Sequence, residues 1–506
     1  MTTGSPPEGY LGATARITSG PAPELVEAGY ALETGDAPLL HRGLTVADLA
    51  HLVELTACGA LTAAEAAPAC ALLLGLLDSP AGEFPYDPVY GDAYNSRERE
   101  FERRLGPAAG RLHLGRTRRE AGRIAFRLAL RERLLRLHSS VTRFARAVAD
   151  QAARQADTVW ADMTYLQPAQ PSTFGHYLGG FAEQCLRHVE RIETAYRYAD
   201  ICPGGAGGVG GTRLPLDRDR LSQSLGFGAS GAHTRDAMWA ADGLADAVLA
   251  AYQGVATVSQ LACDLEIFAS PAFGYVTLDA SLCRASVLMP QKRNPYALPV
   301  LRGGAGTLLG RLTGLLATGL TPSARTDNWL YAYGEVTGAV DLAGRLVRLG
   351  AAVVEGLTVH PEPLAAQAVT HFTAAADLAE ELTQRFRLDY RTAYRIVGKA
   401  VTMAIGRDGE LTAPILRSAA AEVTGQELPV SESLVSDMTD PLSLASARDA
   451  PGGASPARAR EHAERVRRRV TAAEAWNSAR QARNDQAEAA LIAAAKTLAS
   501  RSSPSG

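Results

Sequence analysis

Residues 285–295 read Ala-Ser-Val-Leu-Met-Pro-Gln-Lys-Arg-Asn-Pro, which places one hydroxyl (Ser286), one ammonium (Lys292) and one side-chain amide (Asn294) on a short segment punctuated by Pro290 and Pro295. Proline removes a backbone donor and fixes φ, so the stretch predicts a loop. Such a loop has the groups to embrace a carboxylate; a polar surface loop without chemistry is the plainer reading of the same residues. Around it, from Arg118 to about Val354, apolar residues recur at helical spacing through 118–154, 171–200, 233–268, 295–320 and 328–355, with Gly- and Pro-rich connections between. Each segment is longer than an ordinary globular helix. The short alternating runs of a strand-rich domain are nearly absent. This pattern predicts an all-α protein built on a bundle of long helices, whose polar sites form where loops and helix ends meet.

The 506 residues can bury a large core, and 46% apolar with 21% charged residues is ordinary for a soluble protein. A net charge of −3 exerts no global pull on nucleic acid or an anionic membrane, so neither is an expected partner. The six cysteines (58, 70, 185, 202, 263 and 283) lack metal-ligand spacing and read as reduced core thiols. No run reaches the length of a membrane span, and MTTGSPPEGY is not a secretory leader. A cytoplasmic location is the expectation.

Along the chain, residues 1–22 are rich in Gly, Pro, Ser and Thr and are expected to form a loose arm. Thr45 to about Leu77 predicts two helices split at Gly59, the second opened by Thr62 and Glu65 as a capping box. Residues 79–92 are turn-rich, and a charged helix follows from Asn95 to Leu105. The glycine run at 202–211 reads either as a flexible linker or as backbone that approaches a ligand or neighbouring helix closely; the second is favoured. The expected domains are an N-terminal helical domain (23–116), a central bundle (117–360), a small C-terminal helical domain (361–470) and an added helix with a frayed tail (471–506).

The 285–295 stretch resembles the GSSxMPxKxNP signature of the fumarase/aspartase superfamily, and its spelling is closest to the argininosuccinate lyase branch. Further segments are similar to that branch and stand in its order. They are Ala50-His51 to Thr62, Leu112 to Glu120, Thr164 to Pro171 with Gly175-His176, Cys202 to Asp217, Phe273 to Val276, Ala376 to Ala379, Val397 to Ala400 and Gly452 to Pro456. The resemblance implies a three-domain all-α fold and a homotetramer whose active sites are each shared by three subunits.

It also implies the chemistry: β-elimination, in which a base takes a proton next to a carboxylate, donors hold the resulting aci-carboxylate, and a C–N bond breaks or, in reverse, forms. Ser286 stands at the base and Lys292 and Asn294 at the carboxylate-holding positions. Thr117, Arg118, Thr164 and Gln170 fall where substrate contacts are expected. No metal or organic cofactor is called for. Several positions depart from the family. Its histidine after Thr164 is Tyr165, and the glutamate paired with that histidine is Pro299. Tyr165 either protonates the leaving group or merely fills the pocket and hydrogen-bonds locally. Asp48 replaces a serine, Arg119-Glu120 replaces Asn-Asp, Ala240-Ala241-Asp242 replaces Asp-Arg-Asp, and 325–330 has lost most of a substrate-binding motif. Asp48 and Arg119 are therefore further substrate-binding candidates. His51 and His176 are expected to cap or pack helices. The favoured reading is a lyase acting on an N-substituted aspartate or related carboxylate, other than or in addition to argininosuccinate. The alternative is a binding or structural homo-oligomer that has lost catalysis with the His/Glu dyad.

Overall fold

The structure, a computed structural model, describes residue 16 and residues 19–324, 329–406 and 409–501. Most of the expected N-terminal arm, and residues 325–328 of the drifted motif, lie outside the described residues. A helical stretch, Pro23 to Gly35, leads into α1 (Ala37–Ala57) and α2 (Ala63–Leu76). Thr62 and Glu65 form the capping box that opens α2, each side chain satisfying the other's backbone N–H. After α3 (Ala93–Leu105) comes the first long helix, α4 (Arg118–Arg154), whose N-cap Thr117 accepts from Glu120 N at 3.4 Å.

The chain then makes a feature absent from the expected pattern, an antiparallel hairpin of β1 (Val159–Thr164) and β2 (Gln167–Thr173). Only Tyr165 and Leu166 make its turn, both at positive φ (55° and 58°). Such a turn favours Asn and Gly, and Pro168 and Pro171 count against a strand, so the residue types conceal the hairpin.

Helices α5 (Phe174–Ala199), α6 (Asp242–Phe268), α7 (Ala297–Thr318) and α8 (Ala332–Glu355) complete the bundle. The helix expected over 233–268 is broken where Ala240 turns to extended backbone after a short capped turn, Thr234–Trp239. The main core gathers Phe126, Leu134 and Phe144 of α4 with Leu178 of α5, Leu261 of α6, Leu308 of α7 and Val347 of α8. A second core lies under α1 and α2, and a third, spanning residues 378–435, under α9 (Ala375–Phe386), α10 (Tyr390–Ile405) and α11 (Ala413–Thr424).

The last helix runs across residue 471, where the sequence reading placed a boundary. Opened by Ser455 and Pro456, α12 runs unbroken from Pro456 to Ala499, a length of about 66 Å at 1.5 Å per residue. It joins two cores: Val466 and Val470 pack into the bundle, while Leu491 and Ala495 are buried beneath the N-terminal helices. Within the described residues the helix is thus packed along its length against both cores.

Candidate active site

Two short strands, β3 (Arg284–Ala285) and β4 (Arg293–Asn294), pinch residues 286–292 into a loop. Asn294 Nδ2 donates to Arg284 O at 2.9 Å, and Lys292 N donates to Met289 O at 3.0 Å, closing the loop at its root and across its middle. At the mouth, Ser286 Oγ accepts from Leu288 N at 3.3 Å and from Met289 N at 3.0 Å. Two backbone donors aimed at one hydroxyl oxygen favour its alkoxide, the form that takes a proton from carbon. Among the described residues Lys292 makes no ion pair, and Leu288 is 82% exposed at the loop tip.

The hairpin turn presents a second group. Thr164 and Gln167 face each other across it, Gln170 pairs with Asp162, and Tyr165 at the tip is 98% exposed. Two non-glycine residues in the left-handed region store strain of about 1–2 kcal/mol each. Such strain is characteristic of functional segments.

The third group stands at the start of α4. Thr117 Oγ1 donates to Gly207 O at 3.2 Å, Arg118 pairs with Asp92 at 2.9 Å, and Arg119 pairs with Glu33 at 2.7 Å. Both arginines line a small cavity with Glu33, Asp36, Asp92, Trp329 and Tyr333. Burial pushes the Asp36 carboxyl up to about 7, opposed by the backbone of Gly334 and reinforced by Glu33 and Glu335. Sequence reading had not singled out Glu33, Asp36, Asp92 or Tyr333; they lie in scattered segments, and only the fold brings them together.

The glycine run folds around the buried Glu120, whose two carboxylate oxygens accept from Gly205 N at 2.8 Å and Gly207 N at 2.6 Å. Burial nevertheless pushes Glu120 up to about 7, against those two N–H groups and Arg116. A Cβ at Gly207, where φ is +58°, would fall 2.8 Å from Gly211 O. The close approach expected of this run is therefore to α4 and to itself.

Asp48, a substrate-binding candidate from the sequence, sits inside a buried ion network. It is 0% exposed, and its carboxylate is occupied by Arg97 (3.3 Å) and Arg116, with Tyr94 and Thr45 completing the network. A carboxylate so enclosed balances two buried guanidiniums. His51 and His176 also have packing partners: their Nε2 atoms lie 2.9 Å from Leu114 O and 3.1 Å from Gly452 O. No hydrogen bond or ion pair among the described residues joins the loop, the hairpin tip and the α4 group to one another. Among those residues, no three His, Cys, Asp or Glu are placed to hold a metal ion, and no helix is long and apolar enough to cross a membrane.

Comparison with known proteins identifies the family. The lyase family model matches residues 55–310, and the argininosuccinate lyase C-terminal model matches residues 372–446. The chain belongs to the fumarase/aspartase lyase family. Argininosuccinate lyase of Mycobacteroides abscessus is 33% identical over 90% of this lyase and 95% of its own length, and that of Methanoculleus marisnigri is 30% identical over 81% and 83%. The structure of an EDDS lyase variant with bound fumarate superposes with a TM-score of 0.84 at 26% identity, covering 96% of this lyase and 97% of the relative. The protein is therefore an enzyme of the carbon–nitrogen and carbon–oxygen lyase class, similar to argininosuccinate lyase, and its mostly helical fold with long central helices is that of the family.

Proposed function

We propose that this lyase eliminates an amine from an N-substituted aspartate, other than or in addition to argininosuccinate, or runs the reverse addition. The observation that carries the reading is Ser286 Oγ held between two backbone N–H groups on a loop that also bears Lys292 and Asn294. Ser286 is the base. Lys292 and the free N–H of Asn294 hold the aci-carboxylate, since preorganised donors at developing charge supply the largest catalytic share. Arg118, Arg119 and Thr117 bind substrate from one side, and Thr164, Gln170 and Tyr165 from the hairpin. The EDDS lyase relative supports this by holding fumarate, the unsaturated diacid that such an elimination leaves.

The working unit is a homotetramer. Val300, Leu309 and Leu316 lie open along α7. Gly303, Gly306, Gly310 and Gly314 are also exposed on this helix and allow a second helix to approach closely. Because the three groups do not meet within one chain, the site is completed by neighbouring subunits.

The experiment is to incubate the purified protein with argininosuccinate and a panel of N-substituted aspartates and to follow fumarate by its ultraviolet absorbance. Ser286→Ala should lower turnover by about 10²–10⁴ with the oligomer intact. Undiminished turnover in that variant removes the assigned base; absence of fumarate from every adduct removes the elimination reading.

A further inference from the structure

We propose that Tyr333 donates the proton to the departing nitrogen, with Arg123 as its positioning residue. The preferred adducts then carry a weakly basic, uncharged nitrogen (aryl, N–N or N–O) rather than an alkylammonium. The proposal rests on the elimination reading above. Tyr333 lies in the first turn of α8 and lines the cavity with Arg118 and Arg119. Its phenol oxygen accepts from Arg123 Nη1. A guanidinium only donates, so the phenol's own proton is directed elsewhere, and among the described residues nothing accepts it. The ring is packed against aromatic side chains, stacked on Phe126 at 4.8 Å and meeting Trp329 at 6.0 Å, while the hydroxyl faces the charged cavity. A Cβ at Gly122, also in the cavity wall, would sit 3.2 Å from the Tyr333 hydroxyl. The clearance explains a glycine inside a long helix, where it costs about 1 kcal/mol.

Arg123 is itself unusual. It is fully buried, lies 3.7 Å from the centre of Trp329 and 5.5 Å from that of Trp239, and donates Nε to Met238 O at 3.2 Å. Its Nη2 has no partner, and no carboxylate pairs with it among the described residues. A buried charge without a counter-ion is costly. It becomes favourable when negative charge forms beside it, as on a phenolate that has given up its proton. The cavity also has little to hold an ammonium: Asp92 and Glu33 are taken by Arg118 and Arg119, and the Asp36 carboxyl, pushed up to about 7 by burial, lies against Gly334.

The step balances. Ser286 Oγ takes the proton from the carbon next to the carboxylate, and that C–H pair becomes the C=C bond. The C–N pair leaves on nitrogen and takes the Tyr333 proton. The proton on Ser286 then returns to the phenolate through water. A nitrogen that already carries its extra proton needs no such donor.

The test compares N-phenylaspartate, whose nitrogen is neutral at neutral pH, with N-methylaspartate, whose nitrogen is charged. Tyr333→Phe should lower kcat for N-phenylaspartate by about 10²–10⁴ and lower N-methylaspartate turnover far less. Arg123→Lys should show a smaller loss confined to the same substrate. Equal loss on both substrates, or loss that follows Tyr165→Phe instead, overturns the assignment. Fumarate from argininosuccinate or N-methylaspartate but none from N-phenylaspartate overturns it too, while leaving elimination in place. No fumarate from any of the three overturns the elimination reading and the proposal with it.

Discussion

Replacing Asp48 by serine, the residue the argininosuccinate lyase pattern has there, should destabilise the protein without disturbing substrate binding. Its carboxylate is wholly buried, with Oδ2 3.3 Å from Arg97 Nη2 and Oδ1 bonded to Arg116. Removing one member of a buried ion network leaves uncompensated charge and costs about 3–5 kcal/mol. Here the orphaned guanidiniums keep some support. Arg97 retains Thr45 Oγ1 at 3.0 Å and the ring of Phe101 at 5.0 Å; Arg116 retains Ala47 O at 3.1 Å and Tyr94 OH at 3.0 Å. Those partners place the loss near the lower end, about 3 kcal/mol. Thermal unfolding followed by circular dichroism, on Asp48→Ser, Arg97→Met and the double variant, measures it. Removing Arg97 along with Asp48 should recover part of the stability, because it removes one of the two stranded charges. KM for any adduct that the wild type turns over should not change. A variant as stable as wild type but with a raised KM would refute the reasoning and return Asp48 to the substrate.

Two further outcomes are expected. Burial holds the His138 imidazole down at about 4 from its usual 6.5, so the native state refuses a proton that the unfolded chain accepts. Its share of stability is whole above pH 6.5 and is lost as pH falls from 6.5 towards 4, by about 3 kcal/mol in all; acid unfolding of His138→Gln should show a shallower slope there. At the hairpin tip, Tyr165→Asn with Leu166→Gly supplies residues suited to positive φ and should relieve about 1–2 kcal/mol per residue. The melting temperature should rise while elimination falls, and an unchanged melting temperature counts against strain at the turn.

Where local rules and the fold agree, the chain could be read directly. The helix read over 118–154 is observed as Arg118–Arg154, because its Thr117 cap and its apolar period point to the same element. The loop was equally legible, since prolines, hydroxyl, ammonium and amide lie in consecutive residues. Tertiary packing decided the rest. The hairpin breaks residue preferences in its turn and in β2, so propensity argues against a strand that pairing enforces. Asp48 reads as a pocket residue because a charge in place of a serine suggests a ligand; nothing local reveals that Arg97 and Arg116 converge on it from 49 and 68 residues away. The cavity that holds Arg118 and Arg119 draws its other walls from residues near both 33 and 333, a juxtaposition only the folded bundle makes.

The exposed apolar surfaces give a reason for the proposed association. Val300, Leu309 and Leu316 along α7, Leu288 at the loop tip, and Tyr165 and Leu166 on the strained turn are all exposed. Covering apolar surface gains about 25 cal/mol per Å², so closing α7 against other subunits supplies free energy that no single chain has available. In the proposed tetramer part of that gain offsets the strain at Tyr165 and Leu166 and holds the hairpin tip and the Ser286 loop against a neighbour's α4 cavity. Assembly and catalysis then become one equilibrium. A polar substitution on the open face of α7, such as Leu309→Asp, should lower activity far from any catalytic group, and raising the protein concentration should restore it. Activity per chain that stays independent of concentration in a variant sedimenting as a monomer would mean that one chain builds the site alone.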